Sequence, residues 1–425
     1  MTGAIDPSAP FVAGRMASGW TGGRRMGRWI EEFPGNLAWS NATLVCKGMA
    51  PWGCVSLAEI DRVCERLRAR EGEARAWWEE WGAMAAAVEA RADALEAAGH
   101  RRSAGNLYLR AGMYWFTAER FVEPGDHKRE LGRRSIEMQG RGLVRRYCGI
   151  ERVEVDCDEG RLPAWFLPAS GVTGPAPAVV VFNGMDNCKE MSVLFAGLEF
   201  SARGWHTLAI DGPGQGESLR LRGLAARHDY EVPGAAAWEY LARRPDVDAR
   251  RIAVMGYSFG GYYAARIAAF EPRYVAGVAF AALHWDLHGW QLQIRRRQLA
   301  DPRSTAQSTF HFQWVMGEAT PEAAIEKARA FSLEGVASRI TMPFLVLHGE
   351  SDRVVPVAAA HRLFAELGCR DKALRLFGPE EGGDQHAQVD DRPLGVDAIA
   401  DWLAHVLDAP DGGESPAAAG AEGRR

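Results

Sequence analysis

The sequence predicts an α/β protein: a mostly parallel sheet covered by helices on both faces, preceded by a helical N-terminal region and interrupted by a cap insertion. Three observations predict it. Before Ile150 the apolar residues recur at helical spacing. After Ile150 short apolar runs alternate with amphipathic segments as far as about residue 408. Some of those runs, Ala178-Val179-Val180-Val181-Phe182 above all, are apolar at every position, as strands buried on both faces are.

Residues 1–23, rich in Gly, Ala, Ser and Pro, are expected to be disordered. Residues 24–149 form the helical region. Ser56 and Glu59 resemble a capping box ahead of a helix carrying Leu57, Ile60, Val63 and Leu67. A longer helix over Glu73–Ala98 carries Trp77, Trp78, Trp81, Met84, Val88, Ala92 and Leu95, and stops at Gly99. A third, over Arg101–Phe121, carries Leu107, Tyr108, Ala111, Tyr114, Trp115, Ala118 and Phe121, and a fourth spans Asp126–Arg146. The aromatics have two readings. They form a stripe that packs the helices together, or Tyr114, Trp115 or Trp78 roofs a pocket in the following domain. The region could also supply the surface of a homodimer.

Residues 150–408 form the α/β domain. Val153-Glu154-Val155 and Leu162–Leu167 flank an Asp-Glu-Gly turn and predict a hairpin. Strands follow at 178–182, 207–210, 252–255, 275–280, 344–347 and 374–377. Helices fall between them at 191–202 and 234–243 and close the domain at 396–407. The stretch of about 283–340 breaks this rhythm. It is long and polar, carries Trp285, Trp290, Phe310, Phe312 and Trp314, and lies between two core strands, which makes it a cap over the site. The tail 409–425 is expected to be disordered.

Composition narrows the function. A formal charge of −5, with 47% hydrophobic and 25% charged residues, is ordinary for a globular protein and lacks the basic excess of a nucleic-acid binder. The clusters Arg295-Arg296-Arg297 and Arg141 with Arg145-Arg146 are expected to be solvated faces. No apolar run is long enough for a membrane span, and Trp29-Ile30-Glu31-Glu32 stands where a twin-arginine signal would need an apolar stretch. Seven scattered cysteines without Cys-x-x-Cys spacing point to reduced thiols in a cytoplasmic protein. No cofactor and no metal site are expected.

The chemistry centres on Gly256-Tyr257-Ser258-Phe259-Gly260, between a short apolar strand and the start of a helix. Small residues two before and two after the serine let strand and helix approach closely, and the sharp turn exposes the hydroxyl. Serine is a poor nucleophile near neutral pH, so it needs a general base, which needs an orienting acid. In such a site the chain order is nucleophile, acid, histidine. Asp352 and Glu350 compete for the acid. Asp352 is preferred because it lies deeper in the loop, shortly before Val354-Val355-Pro356. His386, in the loop after the last strand, is the expected base. His348 ends a strand and is expected to be structural, and His361 and His405 fall on helices. His284 and His288 stand at the cap entrance, where they could touch substrate. Two backbone N–H groups must hold the oxyanion. Phe259 follows the nucleophile directly, and Met185 lies in the loop Asn183–Asn187, where Gly184 gives the backbone room to turn. Asp211-Gly212-Pro213-Gly214-Gln215-Gly216 resembles a phosphate loop, but Gly216 comes one residue too early for a dinucleotide fingerprint. A tight loop beside the site is expected there.

Together these segments resemble the α/β-hydrolase superfamily over residues 150–408. A narrower similarity covers nearly the whole chain. It rests on Ala97-Ala98-Gly99-His100 and Leu107-Tyr108-Leu109-Arg110-Ala111, on Asn183-Gly184-Met185-Asp186-Asn187-Cys188-Lys189-Glu190, and on Ser258–Ala264 followed by Glu271-Pro272-Arg273. These resemble the 2,6-dihydropseudooxynicotine hydrolase group, with its relatives among the fungal pigment-pathway polyketide-shortening hydrolases. The resemblance implies cleavage of a carbon–carbon bond beside a ketone, or hydrolytic shortening of a polyketide, with Ser258, Asp352 and His386 as the triad. Nicotine-degrading members also use a glutamate near the cap entrance. Here Trp285-Asp286-Leu287-His288-Gly289-Trp290 holds none, and Asp286 is the nearest carboxylate.

The expected activity is serine-dependent hydrolysis of a small-molecule carbonyl substrate, a β-diketone or polyketide-like ketone, with Asp286, Trp285, His288 and Tyr114 as candidate substrate contacts. An esterase, lactonase or thioesterase would use the same triad, and an acyltransferase or cyclase could use the same pocket without net hydrolysis.

Overall fold

The computed structural model of the chain describes residues 29–73, 75–185, 187–282, 285–300 and 309–408. The segments expected to be disordered, 1–23 and 409–425, lie outside these residues, as do Asp186 and His284.

Before the sheet come helices α1 (Leu37–Lys47), α2 (Leu57–Arg68), α3 (Ala76–Ala97), α4 (Arg101–Glu119) and α5 (Asp126–Arg146). α3 stops where Gly99 takes φ +82° and the His100 N–H turns back to the Leu95 carbonyl at 2.9 Å. The capping box expected at α2 does not form, since the Ser56 side chain makes no cap bond. Its N–H, the group Glu59 would accept, donates instead to Tyr114 Oη at 2.9 Å, and Tyr114 donates to Glu59 Oε2 at 2.8 Å. A tertiary contact from α4 thus replaces the local one.

The strands are β1 (Glu151–Cys157), β2 (Gly160–Leu167), β3 (Ala176–Phe182), β4 (His206–Ile210), β5 (Val247–Tyr257), β6 (Ala276–Phe280), β7 (Phe344–Gly349) and β8 (Lys372–Phe377). Among the described residues they form one eight-stranded sheet in the order β1-β2-β4-β3-β5-β6-β7-β8. The predicted hairpin β1–β2 is antiparallel, β2 pairs antiparallel with β4, and every later pairing is parallel. Alternate residues of β3 face opposite cores, as the two-residue strand period requires. Val179 and Val181 join a cluster shared with the N-terminal helices and the closing helix Arg392–Leu407. Between the strands run the short helices α6 (Lys189–Ser192), α7 (Leu198–Ala202) and α8 (Gly216–Arg220). Ala178, Val180 and Phe182 join a cluster shared with the helices α9 (Glu231–Ala242) and α10 (Phe259–Phe270) and with the cap.

The expected cap contains α11 (Leu287–Ala300) and the helices Thr309–Met316 and Pro321–Lys327. It also reaches the N-terminal helices, where Lys128 Nζ of α5 lies 4.6 Å over the Trp314 ring. Among the described residues no helix is long and apolar enough to cross a membrane, and the seven cysteines are unpaired.

Candidate active site

The carboxyl ends of parallel strands are where an open α/β sheet gathers its loops. β5 ends at Tyr257, and Ser258 turns the chain into α10 with φ 57° and ψ −121°. For a side-chain-bearing residue this conformation costs about 1–3 kcal/mol. The elbow closes tightly. A Cβ on Gly256 would lie 1.8 Å from the Gly260 carbonyl oxygen, and one on Gly260 would lie 2.4 Å from the Phe182 oxygen. The Ser258 N–H donates to the β6 carbonyl of Phe280 at 2.8 Å, which pins the turn to the sheet.

β7 and β8 deliver the other two groups. Ser258 Oγ lies 2.8 Å from His386 Nε2, and His386 Nδ1 lies 2.6 Å from Asp352 Oδ2. Asp352 Oδ1 accepts the N–H groups of Val354 and Val355 at 2.7 and 2.8 Å. An ionised carboxylate can only accept, so Nδ1 carries a proton and neutral His386 leaves Nε2 to take the serine proton. Burial by itself pushes the Asp352 carboxyl up, but His386, His348 and the backbone donors outweigh it and hold it below the usual carboxylate range. Glu350, the competing carboxylate, is exposed. Its N–H donates to Phe377 and the Ser351 N–H to Asp384, which ties the acid loop to the histidine loop. Directly after His386, Ala387 and Gln388 both take positive φ, 49° and 46°.

The loop from Asn183 lies against Ser258. A Cβ on Gly184 would be 3.3 Å from Ser258 Cβ, so glycine lets the backbone come close. Asp211, at the end of β4, holds both ends of this loop: its Oδ1 accepts Asn183 Nδ2 at 2.8 Å and the Lys189 N–H at 2.7 Å. Lys189 Nζ is fully buried between Asp211, Glu190 and Glu217 at 2.8–3.1 Å. The Gly216 N–H donates to Asn187 at 2.6 Å, so the loop that resembled a phosphate cradle braces its neighbour instead. Sequence reasoning missed Asp211 and Lys189. The available signal was the adjacent charges Lys189-Glu190 set against the apolar run Val193-Leu194-Phe195-Ala196.

Ser258, His386, Asp352 and Gly184 are thus brought together. Phe259 is the first residue of α10, the position whose N–H projects from the helix end. Met185 is half-buried against the core on the cap side. The remaining candidates are engaged elsewhere. Tyr114 is interior to the helical region, with its hydroxyl spent on Glu59 and Ser56. Trp115 donates to Glu89 and Trp78 packs against His127, so these aromatics pack within the helical region. Trp285 is buried beneath the Arg362 guanidinium, 4.4 Å from its ring centre. Asp286 is exposed and accepts the Gly289 N–H at 2.8 Å, capping α11. His288 Nε2 is 3.9 Å from Glu326.

Comparison with known proteins agrees with this architecture. The family model described as the prolyl oligopeptidase family matches residues 200–409. The 2,6-dihydropseudooxynicotine hydrolase of Paenarthrobacter nicotinovorans is 30% identical over 370 residues, which cover 84% of this chain and 92% of the relative. The 20-hydroxy-prefusarin hydrolase of Gibberella moniliformis is 27% identical over 359 residues, 76% of this chain and 85% of the relative. A crystal structure of the 2,6-dihydroxy-pseudo-oxynicotine hydrolase matches with a TM-score of 0.69 and 27% identity, covering 85% of this chain and 95% of that one. On the sheet order, the elbow and this full-length similarity, the chain belongs to the α/β-hydrolase family that includes 2,6-dihydropseudooxynicotine hydrolase, and it is a hydrolase.

Proposed function

We propose that Ser258, His386 and Asp352 are a catalytic triad that cleaves a carbon–carbon bond in a β-diketone or polyketide-like ketone. The observation that carries the reading is the unbroken hydrogen-bonded chain from Ser258 Oγ through His386 to the buried Asp352 carboxylate. Ser258 Oγ attacks the carbonyl carbon while its proton passes to His386 Nε2, and Asp352 stabilises the imidazolium. The N–H groups of Met185 and Phe259 take the oxyanion. Collapse breaks the carbon–carbon bond and expels an enolate, which His386 protonates. Water activated by His386 then releases the acyl group from Ser258. Expulsion of carbon needs a second carbonyl to hold the electron pair, hence the diketone. Against a nicotine-type substrate stands the neighbourhood of Asp286, which lacks the glutamate and spends its carboxylate on capping α11.

The first test is labelling by a fluorophosphonate probe, which should modify Ser258 in the wild type and fail in Ser258→Ala. Folded wild-type protein that does not react would sink the reading. The second is product mass from a panel of β-diketones run beside aryl esters and thioesters. Carbon–carbon cleavage products are expected, and turnover of the esters alone would assign the triad to ester hydrolysis.

A further inference from the structure

We infer that Gln215 is a positioning residue of the oxyanion hole: its side-chain amide fixes the backbone from Asn183 to Met185, so that the Met185 N–H stays turned toward Ser258. The inference rests on the oxyanion role proposed above for Met185.

Gln215 lies in the glycine-rich loop after β4, at the N-cap of α8. Residues favoured at that position use a short side chain to bind the helix's own N–H groups. Gln215 makes no such bond. Its side chain is fully buried and crosses to the neighbouring loop, where Nε2 donates to the Asn183 carbonyl oxygen while Oε1 accepts the Gly212 N–H at 3.0 Å. These two partners fix which end of the amide is which, because a carbonyl needs a donor and an N–H needs an acceptor. Gln215 is itself anchored through its main chain. Its N–H donates to the Gly212 carbonyl at 3.0 Å, and its carbonyl accepts the Leu219 N–H at 2.9 Å.

The carbonyl that Gln215 holds belongs to the peptide joining Asn183 to Gly184. Asp211 and the Ile210 carbonyl hold the Asn183 side chain, which leaves that peptide free to turn. Gly184 comes next, and glycine rotates more freely than any other residue. The Gly184 carbonyl accepts the Asn187 N–H at 3.2 Å. No peptide bond among the described residues is cis, so each N–H points opposite to the carbonyl of its own peptide unit. The Met185 N–H is thus directed away from Asn187, and Gly184 brings this backbone against Ser258. With the Gln215 amide removed, rotation about Gly184 can carry the Met185 N–H off the reacting oxygen. The triad and the clamp at Asp211 stay in place.

The test compares full-length wild type with Gln215→Met, which has a side chain of similar length and lacks both amide groups. The probe is a fluorophosphonate, whose phosphoryl oxygen must enter the same hole when Ser258 attacks. Its maximal labelling rate should fall at least about tenfold, toward the ~10²–10³-fold that loss of an oxyanion donor costs. The half-saturating probe concentration and the pH profile should match the wild type, since Gln215 acts on the oxyanion loop and not on His386. An aryl trifluoromethyl ketone, which adds to Ser258 as an oxyanion, should lose affinity by the same factor, and the corresponding methyl ketone should lose none. A Gln215→Met protein with the wild-type maximal rate, however much less stable, would overturn the inference. So would a loss confined to the half-saturating concentration, a shifted pH profile, or an equal loss for both ketones. Should the variant fail to fold, a crystal structure of the wild type with the trifluoromethyl ketone decides. Its oxygen is expected within about 3.1 Å of the Met185 nitrogen, with Gln215 on the Asn183 carbonyl. An Asn183 carbonyl released from Gln215 in that adduct overturns the inference. An adduct oxygen held away from Met185 sinks the oxyanion role of Met185 and the inference with it. Wild-type protein that does not label at all sinks the triad reading, and the inference falls too.

Discussion

Asp352 and Glu350 stand two residues apart in one loop, and only one of them reaches His386. The difference is burial: the Asp352 side chain is shut off from solvent and accepts from Val354, Val355 and His386, while Glu350 faces water. Asp352→Asn, which keeps the shape but removes the charge and favours the wrong histidine tautomer, should lower turnover of an activated ester by ~10³–10⁴-fold. Glu350→Gln should stay within a few-fold, and equal losses in the two variants would contradict the assignment. Arg392, at the start of the closing helix, presents the opposite situation. It is 2% exposed, forms no ion pair among the described residues, and has no partner for Nε or Nη1. Its guanidinium lies 5.0 Å from the Phe195 ring centre. A buried charge without a counter-ion is stabilising only if something compensates it. Arg392→Met should therefore leave the melting temperature unchanged or raise it by a few degrees, and a large fall in the thermal melt would show that the guanidinium is paying its way.

The brace around the loop from Asn183 behaves as one element. Lys189, Asp211, Glu190 and Glu217 share charge in the interior, with Arg152 reaching Glu217 from β1 at 2.7 Å. Burial would raise the Glu217 pKa, but Lys189 and Arg152 outweigh it and bring it down to about 2. A folded value below the unfolded one, about 4.3, means that this stability is present above pH ~4.3 and is lost as pH falls toward 2. Its size is on the order of 3 kcal/mol. Glu217→Gln should thus be destabilised against urea at pH 7, and its gap to wild type should shrink to about half by pH 3. A gap independent of pH would place the effect in packing instead of charge.

At the scale of the whole molecule, the N-terminal helices share one hydrophobic cluster with a face of the sheet. Trp52 meets Phe195 edge-on at 6.3 Å, and Glu119 of α4 pairs, fully buried, with Arg220 of the short helix Gly216–Arg220, its Oε1 3.0 Å from Nε. A chain beginning at residue 150 would expose that face. It should be insoluble, or should lose near-UV dichroism and bind a hydrophobic dye; a soluble, cooperatively melting fragment would contradict this. The same interlock limited what the sequence could say. Helices α3 to α5, the hairpin and the strand runs were legible because each announces itself by its own apolar period. Ser56 with Glu59 misled, because Tyr114, more than fifty residues away in the chain, takes both partners of the capping box.

The sequence by itself determined the fold class, the elbow at Ser258 and the chain order of the acid and the histidine, because short-range patterns encode them. Only the tertiary structure decided which carboxylate meets His386, that Asp211 clamps the loop beside Ser258, and that Tyr114 packs helices. Those are contacts between strand ends and helix faces. They depend on where the sheet brings separate loops together and on how burial reweights charge and hydrogen bonding there, which no local period records.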